Sequence, residues 1–295
     1  MKPLLRLFQV VVIILIMLTF YQCQTSTPID ITIDRSGVLL KGKFSISEGA
    51  GTFPTVILLH GFPGGEGDIF GIGSELSDKN INALMFNYSG THQSQGEFNF
   101  KNTQKDIQAA FDFIHQVENI QKYKIDTTHI VLGGFSYGGG MALTYAANHP
   151  EITNVFSIAG NDHGAFMKEY KRNPEMRKDI DKMFDELKDE KETVRFGPGG
   201  TPKEIAEMRI MELNPTFDLL KSAPLLAHKD ILLIGGWDDH AVSIDNNILP
   251  LYRALINENA KKVKITAFQD NHSFRDSRED LAQTIIEWIN TIPER

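Results

Sequence analysis

Cysteine is nearly absent from the 295-residue chain: Cys23 is the only one, so no intramolecular disulfide can form. Cys23 also lies in an N-terminal segment of targeting type, where a catalytic thiol is not expected. Basic residues are outnumbered, with 30 Lys and Arg against 38 Asp and Glu and a formal net charge of −8. Because an acidic chain repels phosphate backbones, we expect no nucleic-acid partner.

The sequence also lacks the patterns of metal and nucleotide sites. It has no His-Glu-x-x-His motif and no paired Cys and His spacing. The glycine-rich stretch Gly133–Gly140 has neither the lysine of a phosphate-binding P-loop nor the Gly-x-Gly-x-x-Gly spacing of a dinucleotide site. We therefore expect no catalytic metal and no cofactor.

The first 24 residues have the pattern of an export signal, because Lys2 and Arg6 precede an apolar run from Val10 to Leu18. The alternative is an uncleaved membrane anchor, for which this run is short. Cys23 resembles the lipid-acceptor cysteine of a bacterial lipoprotein, although the three residues before it are bulky where that signal has small ones. We expect an exported protein that is periplasmic, secreted, or attached to a membrane through a lipidated Cys23 or the anchor.

Strands and helices alternate through most of residues 28–295. Alternating segments on both sides of Arg35-Ser36-Gly37 predict an antiparallel hairpin of Ile29–Asp34 and Val38–Ile46. Buried strands are predicted at Thr55–Leu59, Ile81–Tyr88, His129–Phe135, Thr153–Ala159, Ile231–Ile234 and Val263–Phe268. Helices are predicted from Asp68 to about Lys79 and at Asn102–Val117, Gly138–Asn148, Ile248–Asn259 and Arg278–Ile292. This alternation predicts one α/β domain with a mostly parallel, doubly wound sheet behind the hairpin.

One stretch, residues 161–228, interrupts this alternation and is called the cap here. It contains charged helical segments at Met176–Glu192 and Pro202–Leu213 and a Gly-Pro-Gly-Gly turn, but no evident strand. A connection of this length is unusual in a compact domain. We expect a helical cap insertion over the C-terminal edge of the sheet; an ordinary solvated helical excursion is the alternative.

Motifs with potential catalytic residues follow the predicted strands. In open α/β sheets, ligands bind at the carboxyl ends of the strands. Gly134-Phe135-Ser136-Tyr137-Gly138 comes between a strand and a helix. A serine on such a turn is raised clear of the backbone, and the flanking glycines avoid collisions with the neighbouring strand and helix. We expect Ser136 to be a nucleophile.

An anion-stabilising loop is predicted after the first buried strand, at His60-Gly61-Phe62-Pro63-Gly64. Acyl transfer places negative charge on the carbonyl oxygen, which two fixed N–H groups stabilise. Pro63 has no N–H, so we expect the donors to be the backbone amides of Phe62 and Tyr137. His60 is expected to brace the loop and not to act as the base.

An acid and a base follow Ser136 at later predicted strand ends, in the order serine, aspartate, histidine that occurs in α/β folds with a serine on such a turn. The strand ending at Gly236 leads into Asp238 and Asp239, and the last strand leads into His272. We expect His272 to take the proton from Ser136 and an aspartate to orient its imidazole.

Over about Thr55 to Ile292 the chain resembles the α/β-hydrolase superfamily, particularly lid-bearing esterases and the catalytic domains of prolyl-oligopeptidase-like enzymes. The motifs that carry the resemblance are His60-Gly61-Phe62, Asn87-Tyr88-Ser89-Gly90 with Ser94-x-Gly96, the Ser136 turn, Gly236-x-x-Asp239-x-x-Val242 and Asp270-Asn271-His272-Ser273-Phe274. The resemblance implies the α/β-hydrolase fold. In the family pattern the acid lies three residues after the glycine and three before the valine, which selects Asp239. Asp238 is the alternative acid, because the glycine is duplicated and permits a shift of one residue.

The resemblance implies a serine hydrolase acting on a small molecule, with cleavage of a carboxylic ester as the leading hypothesis. A small serine peptidase of the same fold, acting as an aminopeptidase or dipeptidyl-peptidase, is the alternative. The chain has no long N-terminal propeller of the kind that accompanies the large oligopeptidases. A non-catalytic binding module on the same fold is a third hypothesis, against which the presence of both Ser136 and His272 argues.

Overall fold

The computed structural model describes residues 27–65 and 67–293. The predicted export signal over residues 1–24, which includes Cys23, lies outside the described residues, so export and lipidation stay predictions. Within the described ranges, no helix is long and apolar enough to cross a membrane.

Eight strands in the described part form one sheet with the order β1-β2-β4-β3-β5-β6-β7-β8. The strands are β1 Ile29–Arg35, β2 Val38–Ser45, β3 Phe53–Leu59, β4 Asn82–Phe86, β5 Ile125–Phe135, β6 Asn154–Ile158, β7 Asp230–Gly236 and β8 Val263–Phe268. The pairs β1-β2 and β2-β4 are antiparallel, and the other five pairs are parallel. The predicted fold class, a mostly parallel sheet with an N-terminal antiparallel hairpin, is confirmed.

The hairpin turns at Ser36 and Gly37, whose φ angles are 50° and 89°. Two consecutive residues with positive φ match the twist of the flanking strands. The Gly37 N–H donates to the Asp34 carboxylate at 2.6 Å and closes the turn.

Eleven α-helices in the described ranges accompany the sheet. They are α1 Ile72–Asp78, α2 Phe100–Ile114, α3 Val117–Tyr123, α4 Tyr137–Asn148, α5 His163–Arg172, α6 Pro174–Asp189, α7 Pro202–Glu207, α8 Ile210–Leu213, α9 Leu219–Leu226, α10 Leu249–Asn257 and α11 Arg278–Asn290. A 3-10 turn spans Pro215–Phe217 and a π-helical turn spans Ile244–Ile248. Helix α1 begins at Ile72, with Gly71 at its N-cap position, and not at Asp68 as predicted. The Asp68 carboxylate still accepts the N–H groups of Gly73 and Ser74 in the first turn, at 2.6 and 2.7 Å.

Two apolar cores cover the two faces of the sheet, and strand β3 contributes to both. Ile57 and Leu59 belong to the core that includes α2 and α4, while Val56 and Leu58 belong to the core that includes α1 and α11. Successive side chains of a strand point to opposite faces, so a strand apolar at every position is buried on both. The sheet is therefore rigidly held, and its C-terminal edge is left to carry the site.

The cap contains five of the helices, α5 to α9. The predicted helix Met176–Glu192 is found as α6, and the predicted helix Pro202–Leu213 is broken into α7 and α8 at Arg209, whose φ is 55°. Short β-bridges also join the cap to the loop after β4, pairing Thr91 with Val194 and Phe98 with Phe196. The cap thus has direct backbone contact with the main body beside the site.

Candidate active site

Ser136 lies on a strained turn between β5 and α4. Its φ is 54° and its ψ is −116°, a conformation that a serine adopts only when the surroundings hold it there. A Cβ on Gly134 would lie 2.5 Å from the Gly138 carbonyl carbon, and a Cβ on Gly138 would lie 2.5 Å from the carbonyl oxygens of Leu59 and His60. Only glycine fits at either position, which explains the motif sterically.

Backbone hydrogen bonds fix this turn. The Ser136 N–H donates to the Ile158 carbonyl at 2.8 Å, and the Ser136 carbonyl accepts from the N–H groups of Gly140 and Asn161, both at 3.1 Å. Since both backbone groups of Ser136 are paired, the hydroxyl is the group left to act.

His272, in the loop after β8, meets that hydroxyl. Its Nε2 lies 3.0 Å from Ser136 Oγ, and its Nδ1 lies 2.7 Å from Asp239 Oδ2. The ring packs on Phe135 with centroids 4.8 Å apart, and 31 % of the His272 side chain is exposed. The structure therefore brings serine, imidazole and carboxylate into one continuous chain of hydrogen bonds.

The two neighbouring aspartates after β7 have different partners. Asp239 is buried, and its Oδ1 accepts the N–H groups of Ala241 and Val242, both at 2.8 Å. Asp238 is exposed, and its carboxylate accepts from the Gln269 amide at 2.8 Å. Asp239 is thus the carboxylate that contacts the imidazole, while Asp238 is turned to the surface.

A third aspartate, Asp270, holds the loop that carries the imidazole. Its Oδ1 accepts the Asn271 N–H at 2.7 Å, and its Oδ2 accepts the N–H groups of Asp276 and Ser277 at 2.9 and 3.0 Å. The sequence motif contains this residue but does not reveal the role, because two of the donors come from beyond the motif.

Phe62 and Tyr137, the predicted oxyanion donors, lie together in the structure, with ring centroids 6.2 Å apart. Tyr137 is the first residue of α4, where backbone N–H groups have no acceptor within the helix. A Cβ on Gly61 would lie 3.0 Å from the Phe135 ring, so glycine permits the loop to pass close to Ser136. The Gly64 N–H closes the loop by donating to the Gly61 carbonyl at 2.7 Å.

His60 is the first residue of this loop and is buried. Burial, followed by the nearby His92, lowers the pKa of His60 from 6.5 to about 4, so its imidazole is neutral at pH 7. Its backbone carbonyl accepts the Tyr88 hydroxyl at 2.6 Å. These contacts favour the bracing role predicted for His60.

A shallow cleft of about 520 Å³ lies beside the imidazole. Its lining residues are Phe70, Phe135, Asp238, His240, Ala241, Asn271, His272 and Ser273. Two phenylalanine rings and an alanine make its wall largely apolar, and the cleft gives an uncharged group room next to the imidazole. No group of three or more His, Cys, Asp or Glu side chains in the described ranges is arranged to hold a metal ion.

Aromatic rings from distant parts of the chain meet around Phe62 in the loop His60–Gly64. We call Phe62, Phe98, Tyr137, Phe184 and Phe196 the aromatic cluster; Phe62 and Phe184 are stacked with centroids 5.4 Å apart and an interplanar angle of 15°. Sequence reasoning missed this cluster, since isolated phenylalanines in loops and on a charged helix carry no local signal of contact.

Solved structures similar to this chain include two esterases. Est1E from Butyrivibrio proteoclasticus is 16% identical with a TM-score of 0.63, and the match covers 88% of this chain and 97% of that one. Esterase Pf2001 from Pyrococcus furiosus is 17% identical with a TM-score of 0.62, with 90% of each chain covered. At these identities the likeness shows the fold alone.

An acylaminoacyl peptidase from Pyrococcus horikoshii is 18% identical with a TM-score of 0.67; the match covers 94% of this chain but 43% of the peptidase. Comparison with curated proteins gives no match. The family model described as the alpha/beta hydrolase fold matches residues 54–203, just over half of the 295 residues. The matched part includes the loop His60–Gly64, the serine turn and residues 161–203 of the cap. Together with the strand order and the serine turn, this match shows that the chain belongs to the alpha/beta hydrolase fold family.

Proposed function

We propose that the protein is a serine hydrolase that cleaves a carboxylic ester of a small molecule through Ser136, His272 and Asp239. One observation carries the proposal: Asp239, His272 and Ser136 are joined by hydrogen bonds of 2.7 and 3.0 Å, at the ends of three strands of a rigid sheet. Family membership supports a hydrolase, and this geometry supports a nucleophilic serine.

In the first half of the reaction, Ser136 Oγ attacks the ester carbonyl as His272 Nε2 takes its proton. The C–O bond to the alcohol then breaks, and His272 returns the proton to the departing alkoxide oxygen. The product is an acyl group esterified to Ser136. In the second half, His272 takes a proton from water, the hydroxide attacks the acyl carbon, and Ser136 regains its proton as the acid leaves.

Two features of the site lower the barrier in this scheme. Asp239 holds the His272 Nδ1–H and stabilises the imidazolium that forms during each proton transfer. The backbone amides of Phe62 and Tyr137 donate to the oxygen that becomes negative in each tetrahedral intermediate. The N-terminus of α4 adds the favourable end of a helix dipole at the same place.

The solved structures that resemble this chain include both esterases and a peptidase, and the esterases support ester cleavage as the leading proposal. Esterases from Butyrivibrio proteoclasticus and Pyrococcus furiosus match along nearly their whole length, whereas this chain spans less than half of the acylaminoacyl peptidase. The peptidase has the highest of these three TM-scores, 0.67, so a small serine peptidase is kept as the second candidate.

A panel of substrates separates these functions. The purified full-length chain is assayed on p-nitrophenyl esters of increasing acyl length and on aminoacyl p-nitroanilides, with Ser136→Ala as the control. We expect ester turnover that Ser136→Ala abolishes. Faster turnover of the anilides would favour the peptidase, and no turnover of either series by folded protein would favour a binding module.

A further inference from the structure

The Phe62 ring is held by the cap. It contacts Phe184 on α6 at 5.4 Å and Phe196 at 6.1 Å, and it contacts Phe98 of the main body at 4.9 Å. The stack with Phe184 is the most nearly parallel of these contacts, with an interplanar angle of 15°. The residue proposed to donate an oxyanion hydrogen bond is therefore packed against a helix that belongs to the cap.

The backbone around Phe62 needs such support. Gly61 and Gly64 flank Phe62 and Pro63, and Gly64 has a φ of 106°. Glycines leave a loop with many accessible conformations, so ordering it costs more entropy than ordering other residues. The Phe62 side chain is large enough to fix the orientation of its own amide plane when the ring is clamped.

Phe196 and Phe184 are attached to the body in different ways. The segment before and after Phe196 is tied by backbone bonds: the Arg195 N–H donates to the Gly90 carbonyl at 2.7 Å, and the Gly197 N–H donates to the Phe98 carbonyl at 3.0 Å. Phe184 lies on a helix whose 16 residues, all described, include none that is fully buried. The position of Phe196 is thus fixed by backbone hydrogen bonds to the main body, whereas the position of Phe184 depends on how α6 packs.

One stripe of α6 packs against the apolar core that the cap shares with the main body. Ile180 and Leu187 are partly buried against the core, and Phe184 lies between them at the helical spacing of four and three residues. The opposite faces of α6 carry charged residues in contact with solvent. Phe184, at the centre of this stripe, contacts the Phe62 ring from the partly buried side of α6.

We propose that Phe184 is a positioning residue that sets the Phe62 amide for oxyanion stabilisation, so that the cap helix α6 controls the rate of the chemical step. The inference rests on the proposed function. Phe184 acts through the Phe62 ring and needs no contact with the reacting atoms.

The test compares ring-removing and ring-preserving variants on the full-length chain. Phe184→Ala should lower kcat for a p-nitrophenyl ester by about 10- to 100-fold, less than complete removal of an oxyanion donor, with KM changed by less than about threefold. Phe184→Tyr keeps the stacked ring and should retain most of the kcat. Met183→Ala, on the exposed side of the same helix, is the matched control and should leave kcat unchanged.

A double-mutant cycle checks the route through Phe62. If Phe184 acts by clamping that ring, Phe62→Leu with Phe184→Leu should lower kcat no further than the more damaging single substitution. Circular dichroism on each variant confirms that the fold is retained, and the leucine pair serves if an alanine variant does not fold.

Three outcomes overturn the positioning role: an unchanged kcat in Phe184→Ala, a change confined to KM, or additive effects in the cycle. Each of them requires active wild-type protein and leaves the proposed function intact. Wild-type protein that hydrolyses no ester overturns the proposed function, and the positioning role with it.

Discussion

The sheet and the cap contribute to the site in opposite ways. Ser136, Asp239 and His272 each follow a parallel strand, and their loops are held by backbone hydrogen bonds to neighbouring strands and turns. The cap reaches the site through ring contacts, two β-bridges and the hydrogen bond from the Asn161 N–H to the Ser136 carbonyl. Its longest helix, α6, buries no residue fully in the described part. We therefore assign proton transfer to residues held by the sheet. The position of the proposed oxyanion donor Phe62 depends on the cap as well.

The largest effect tests the rigid side. Asp239→Asn should lower kcat by roughly 10³- to 10⁴-fold, because an amide in place of the carboxylate no longer stabilises the imidazolium or its tautomer. Asp238→Asn is the matched control, one residue away, and should change kcat by no more than about twofold since its carboxylate contacts Gln269 at the surface. Steady-state kinetics on one ester measures both.

An equal loss of kcat in the two variants would contradict the assignment of Asp239, and not Asp238, as the catalytic acid. A larger loss in Asp238→Asn would reverse the assignment of the acid and break the hydrogen-bond chain on which the account depends.

The second prediction concerns His163, where the cap begins. This buried histidine packs on Tyr137 and Phe100 at 5.1 and 4.8 Å, and burial lowers its pKa from 6.5 to about 3. As the pH falls below 6.5, His163 takes up a proton in the unfolded chain but stays neutral in the folded chain. Above pH 6.5 the imidazole is neutral in both states, so burying it causes no pH-dependent loss of stability there. Stability is lost as the pH falls from 6.5 toward 3.

Urea unfolding at pH 7 and pH 5 measures this contribution. Between pH 7 and pH 5, the free energy of unfolding of the wild-type protein should fall by about 2 kcal/mol more than that of His163→Phe. This follows from about 1.4 kcal/mol per pH unit below pH 6.5. The exposed His228→Gln should lose as much as wild type. Identical pH dependence in wild type and His163→Phe would mean that the folded protein accommodates the charged imidazole.

The third prediction concerns stability at neutral pH and tests how the cap is attached to the main body. The Arg195 guanidinium donates to the carbonyls of His92 at 3.2 Å and Lys191 at 3.0 Å, and to that of Ser94. Arg195→Ala should lower the free energy of unfolding by about 2 kcal/mol, since these carbonyls lose a charged donor. Chemical denaturation measures it, with the exposed Arg253→Ala as the control. An unchanged stability would show that the backbone pairing alone fastens the cap.

Local sequence patterns were enough to predict most of the sheet and the serine turn that it carries. The glycines around Ser136 and the strand before it have steric reasons that act within a few residues, so a short motif revealed them. The family spacing favoured Asp239 but left Asp238 open, because the duplicated glycine (Gly235, Gly236) permits a shift of one residue. Burial and the hydrogen bonds from Ala241 and Val242 decide between the two aspartates, and these depend on how the loop folds.

The cap was harder to predict because long-range contacts decide its structure. Helix α5 begins where the Asp162 carboxylate accepts the N–H groups of Gly164 and Ala165, and no helix was predicted there. The break at Arg209 has neither glycine nor proline to signal it. The stack of Phe62 on Phe184 joins two segments far apart in the chain, and neither segment contains a pattern that names its partner.

The central claim is that Ser136 is a nucleophile activated by His272 and Asp239. Incubation of the folded full-length chain with a fluorophosphonate, followed by intact mass measurement and peptide mapping, tests it most directly. The account predicts a single adduct on Ser136, absent in Ser136→Ala and formed far more slowly in Asp239→Asn than in Asp238→Asn. No adduct on the folded protein, or an adduct on another residue, would contradict it.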